Sequence, residues 1–171
     1  IPFSVEGYHS KKLMDKEAAR AVERLFAQAK EDKINLVGVS AYRSYSRQQA
    51  IFAYNVREKG RKVANQVSAK PGESEHQTGL AIDVSSPTVN YRLVKPFGET
   101  KAGRWLAEVG PKYGFIIRYP QGKTSITGYQ YEPWHLRYVG KKHALKIASN
   151  DLTLEEYLAQ GYVASLSDPI R

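Results

Sequence analysis

The first strong period in the chain lies at residues 14–30, MDKEAARAVERLFAQAK. There Ala18, Val22, Leu25, Phe26 and Ala29 fall on one helical face. INLVGVSAY at 34–42 is rich in Val, Ile and Leu and predicts a strand. SRQQAIFAYNVREKG then reads as a helix, with Ser46 and Gln49 as a capping box and Gly60 as its C-cap. Residues 61–75 predict a loop, and LAIDVS at 80–85 a short strand. ETKAGRWLAEVGPKYG predicts a helix through about Val109, closed by Gly110 and Pro111. FIIRYP at 115–120 is a further strand, and GYQYEPWHLRYVG at 128–140 contains another, interrupted by Pro133. KKHALKIAS and TLEEYLAQG are late helices, the second with a Thr153/Glu156 capping box.

Helices and strands do not alternate strictly, which predicts an α+β fold with a small, mainly antiparallel sheet flanked by helices. The 171 residues suit one domain, with a motif core at about 34–140 and late helices at about 141–162. Lys and Arg number 26 against 17 Asp and Glu, a net charge of +9 that suits an anionic partner. The charges are scattered, and no nucleic-acid-binding motif accompanies them, so nucleic acid is not an expected partner. Without cysteine there is neither a disulfide nor a thiolate metal site. Neither a GxxxxGK nor a GxGxxG phosphate loop occurs, and no GxSxG nucleophile elbow. The chain shows no signal peptide and no apolar run of membrane-spanning length; an anchor outside these residues would leave no trace in them.

Four histidines are present. His9 and His143 read as surface residues. His76 differs, because SEHQTGLAIDV places it seven residues before an acid inside a strand. A period of two sends Leu80, Ile82 and Val84 to one face and Ala81 and Asp83 to the other. Asp disfavours strands, and a buried carboxylate is costly unless a cation pairs with it. Asp83 therefore reads as a partner of a Lys or Arg, as an exposed acid on an edge strand, or as a metal ligand. YEPWHLRYVG adds His135, with Glu132 three residues before it. A turn at Pro133 could aim both at one place. His76, Asp83 and His135 would supply three ligands to zinc, leaving a position for water and Glu132 free as general base.

These residues resemble the SxHxxGxAxD signature of zinc D-alanyl carboxypeptidases of the VanY/LdcB type. EPWHLRYV resembles the second metal motif of that family and SAYRSYSRQQ its substrate-binding segment, in the expected order between Ser40 and Val139. The resemblance implies a zinc peptidase that removes the terminal D-alanine of peptidoglycan stem peptides. It implies His76, Asp83 and His135 as zinc ligands and Glu132 as catalytic base. Arg43, Gln48 and Ser74 would line the substrate site, with Tyr131 and Trp134 as pocket walls or core residues. Arg43 would either clamp the substrate's free carboxylate or stabilise the oxyanion at the scissile carbonyl. The resemblance further implies a monomer acting outside the cytoplasmic membrane, at the wall or on an anchor. The substrate is a tetrapeptide cut at an L,D bond or a pentapeptide cut at a D,D bond. The competing expectation is a non-catalytic wall-binding or signalling module on the same scaffold.

Overall fold

Asp15 starts the first helix. Its side chain accepts hydrogen bonds from the amides of Glu17 and Ala18, and α1 runs over Lys16–Glu31. The computed structural model describes residues 1–5, 7 and 12–167; His9 lies outside the described residues. Strand β1 is Val37–Ser40, and helix α2 covers Tyr45–Val67. The cap of α2 is Ser44, which accepts from the Arg47 amide, and not the predicted Ser46. Gly60 breaks this helix with φ 77° and ψ 157°, but helix resumes beyond it. The predicted loop therefore begins only at Ser68, and residues 61–67 are helical.

Strand β2 is Ala81–Ser85 and helix α3 is Lys101–Val109. Strand β3 (Phe115–Ile117), the one-turn helix α4 (Thr124–Thr127) and strand β4 (His135–Tyr138) follow. Helices α5 (Lys141–Ser149) and α6 (Leu154–Ser167) close the chain. Thr153 and Glu156 form the predicted reciprocal cap, with bonds of 2.7 and 3.1 Å. His143 is exposed, as expected, and its Nδ1 lies 2.6 Å from the Tyr157 hydroxyl.

The four strands pair antiparallel in the order β1-β2-β4-β3. Strand β2 is therefore interior, and all five of its residues are buried. This removes the reading of Asp83 as an exposed acid on an edge strand. Ile82 lies opposite Leu136, and both join α1 and α3 in the main core, with Val22, Leu25 and Leu106. The next pair along the two strands, Asp83 opposite His135, faces the other side of the sheet. A smaller cluster of Ile116, Ala144 and Ile147, joined by Leu154 and Tyr157, packs α5 and α6 onto that same side. The fold is thus the predicted α+β arrangement, with one sheet face given to the main core and the other shared by Asp83, His135 and the smaller α5–α6 cluster.

Candidate metal centre and active site

Strand register brings the first residues together. Ser40 of β1 and His135 of β4 are both Cα partners of Asp83 in β2, so one row crosses three strands. Directly opposed residues share a sheet face. His76 arrives from the loop side, in a single 3-10 turn over Glu75–Thr78. Gly79 ends that turn at φ 75°, where the chain swings into β2. Its carbonyl accepts from the Asp15 amide at 2.9 Å, and a Cβ at Gly79 would stand 2.9 Å from the same nitrogen. Glycine is required here by both conformation and space. Pro133 occupies the second position of a turn closed by the His135 amide donating to the Glu132 carbonyl at 3.1 Å. That turn ends where β4 begins, and Glu132 and His135 line the same cavity of about 450 Å³.

His76, Asp83 and His135 are each buried, and one ligand atom from each lies within 4.8 Å of the others. His76 Nδ1 is 2.8 Å from the carbonyl oxygen of Ala41, which can only accept, so that nitrogen carries the proton. His76 Nε2 then turns a lone pair toward Asp83 Oδ2 at 3.2 Å. His135 Nδ1 lies 2.8 Å from Asp83 Oδ1, and its Nε2 lies 3.5 Å from Glu75 Oε2. In the neutral imidazole with its proton on Nε2, toward Glu75, the inner nitrogen of His135 also presents a lone pair. Two imidazole lone pairs then meet one carboxylate, an arrangement that a bound cation satisfies. The donor set, two nitrogens and a carboxylate oxygen, is the type that zinc accepts. Among the described residues no Lys or Arg pairs with Asp83, which removes its salt-bridge reading.

The electrostatics follow from that crowding. Burial pushes Asp83 up, but the two histidines overcome it and hold the acid well below the usual carboxylate range. Burial alone would lower His135; its hydrogen bonds to Asp83 and Glu75 prevail and raise it to about 9. In this arrangement a proton satisfies the centre as a metal would, so the two compete for it. Glu132 is pushed up to about 7, chiefly by burial, with Asp83 adding to the rise and His135 opposing it. A carboxylate in that range is suited to both taking and returning a proton.

Arg43 lines the same cavity. Its Nη1 donates to Gln48 Oε1 at 2.8 Å and its Nη2 to Ser40 Oγ at 3.0 Å. Both acceptors are neutral, and no acid pairs with Arg43 among the described residues. Burial lowers its pKa, with the charge of Asp83 opposing that effect. Gln48 is only 1% exposed and its amide is committed, with Nε2 donating to Ala69 O at 2.6 Å and to Ser68 Oγ at 3.3 Å. It lines the cavity yet acts as the brace of Arg43. Ser74, Tyr131 and Trp134 also line the cavity, and Trp134 packs against the main core as well.

Three residues at this centre went unpredicted: Glu75, Arg118 and Tyr119. Glu75 Oε1 accepts from Arg118 Nε at 2.7 Å and forms an ion pair with Arg137 Nη1 at 2.9 Å. Burial raises Glu75, but its bond to His135 and the two arginines hold it at about 2. The Tyr119 ring stacks on His135, with centroids 5.3 Å apart and planes 13° from parallel. An acid beside His76 in SEHQTG was the one available signal for Glu75.

Comparison with known proteins agrees with this geometry. The model of the VanY family, D-alanyl-D-alanine carboxypeptidase, matches residues 11–141. YodJ of Bacillus subtilis (strain 168) is 53% identical over 157 residues, covering 92% of this chain. The chain spans 58% of YodJ's own length. Among solved structures, the LdcB LD-carboxypeptidase is 52% identical with a TM-score of 0.84, covering 93% of this chain and 74% of that one. A vancomycin-resistance D,D-pentapeptidase VanY, solved in complex with Zn(II), is 36% identical with a TM-score of 0.76, covering 91% and 89%. This chain belongs to the VanY family of D-alanyl-D-alanine carboxypeptidases.

Proposed function

We propose that this chain is a zinc-dependent carboxypeptidase that releases the terminal D-alanine of peptidoglycan stem peptides. The observation that carries the proposal is the buried His76, Asp83 and His135, each with a ligand atom within 4.8 Å of the others, in the cavity that Glu132 and Arg43 also line. His76 Nε2, the Asp83 carboxylate and His135 Nδ1 would hold the ion. When bound, zinc supplies Lewis acidity, which acidifies a water molecule and polarises the scissile carbonyl.

The chain's own groups do the rest. Glu132 takes a proton from the attacking water as the new C–O bond forms. It returns that proton to the amine of D-alanine as the C–N bond breaks. A cation at the centre draws Glu132 below the value that burial alone sets, favouring its basic form. Arg43 binds either the free carboxylate of the terminal residue or the oxyanion, and its charge is uncommitted for both. Ser74, Tyr131 and Trp134 shape the walls around the peptide. Peptidoglycan lies outside the cytoplasmic membrane, so the proposed site of action is extracytoplasmic. Among the described residues no helix is long and apolar enough to cross a membrane.

The tetrapeptide, cut at its L,D bond, is the proposed preferred substrate. Supporting this, the LD-carboxypeptidase LdcB shares 52% identity with the chain, against 36% for the D,D-pentapeptidase VanY. Incubating the zinc-loaded protein with the tetrapeptide and the pentapeptide, and following products by mass, tests both levels. D-alanine release with the tetrapeptide faster is the expected result. Peptide binding without turnover of either would instead mark a non-catalytic binding module.

A further inference from the structure

The family match ends at residue 141, yet a line of charged contacts runs from His135 past that point into α6. Glu75 is its first member. Both arginine ion pairs fall on Oε1, which leaves Oε2 facing His135 Nε2 at 3.5 Å. Neither of these two buried atoms meets a hydrogen-bond partner among the described residues, and each faces the other at ion-pair distance. Arg118 spends its remaining nitrogens on Glu155, in the first turn of α6, with Nη1 to Oε2 at 2.9 Å and Nη2 to Oε1 at 2.6 Å. This two-bond fork fixes the guanidinium plane. The same guanidinium lies over Tyr119, 4.9 Å from its ring centroid, and Tyr119 stacks on His135.

We infer that Glu75 is a positioning residue that holds the proton of His135 on Nε2, and that α6, through Glu155 and Arg118, holds Glu75 in place. The inference rests on the reading of His76, Asp83 and His135 as zinc ligands. A carboxylate at Oε2 can only accept, so it selects the tautomer whose Nδ1 lone pair points to the metal position. Two arginines on Oε1 prevent the carboxylate from turning away. The C-terminal helix is in this way part of the support of the metal centre.

The test is zinc affinity of the full chain, by competition with a chromophoric chelator, for wild type, E75Q, E155Q and the double variant. Glutamine keeps the shape of Glu75, but its amide N–H must face either the arginine donors or His135 Nε2. The second orientation moves the imidazole proton onto Nδ1, where it blocks the metal. E75Q is expected to weaken zinc binding about 10–100-fold. E155Q should give a smaller loss, and the double variant should bind no more weakly than E75Q. Nitrogen-15 NMR of zinc-loaded wild type, which depends on no variant folding, should find His135 protonated at Nε2. Unchanged affinity in E75Q, losses that add in the double variant, or a proton on Nδ1 would each overturn the inference. A wild type that binds no zinc would instead refute the ligand reading beneath it.

Discussion

Glu132 and Arg43 share a cavity with the three proposed ligands but do different work, and substitution separates them. Glu132→Gln removes the base while keeping the side chain's shape. Turnover is expected to fall about 10²–10⁴-fold, the usual worth of a positioned general base. Zinc content, read by elemental analysis, should stay at one per chain, because Glu132 holds no part of the ion. Arg43→Lys keeps the charge and loses the planar fork that Gln48 and Ser40 hold in place. It should lower kcat/KM about 10²-fold or more, the scale seen when an oxyanion donor is lost. Steady-state kinetics then assign the role: a rise in KM marks a carboxylate clamp, and a fall in kcat marks an oxyanion contact.

Two turns place the proposed ligands, and their chemistry was legible in the sequence because it is local. Glycine marks the first: Gly79 lets the chain swing from the turn that carries His76 into strand β2, at φ 75° against the Asp15 amide. Gly79→Ala should destabilise the protein by about 1–3 kcal/mol through the left-handed backbone alone. The close approach to Asp15 adds to that cost; urea unfolding of the zinc-free protein measures the total. Pro133 was expected to break strand pairing and aim Glu132 and His135 together, and the turn it forms lines both on one cavity. Other local signals misled. Ser46 with Gln49 fits a capping box and Ser44, with Arg47 three residues on, does not, but the α2 helix starts one residue after Ser44. Gly60 looked terminal because glycine commonly ends a helix, whereas here it only kinks one. Glu75, Arg118 and Tyr119 were out of reach for a different reason. Glu75 meets Arg118 43 residues further on, and Tyr119 and Arg118 reach His135 and Glu155 on later segments, so their contacts depend on which strands and helices neighbour which. Spacing along one chain carries no record of that pairing.

Taken across the whole molecule, the sheet divides labour between its faces. One face buries Ile82 and Leu136 against α1 and α3, and the other carries Asp83 and His135 beneath the cavity. The proposed ligands come from β2, β4 and the turn before β2, so an ion bound there would tie together segments 59 residues apart in sequence, from His76 to His135. Zinc should therefore stabilise the native state against the unfolded chain, by about 2.7 kcal/mol when free zinc stands at a hundred times its Kd. Thermal unfolding with and without a chelator should show the corresponding drop in Tm. That a bound ion drives D-alanine release is tested most directly by titrating metal-free protein with zinc while measuring free D-alanine from a stem tetrapeptide. The predicted curve starts near zero, rises linearly and breaks at one equivalent of zinc per chain. Release at the full rate from metal-free protein, or no release after one equivalent has bound, would contradict it.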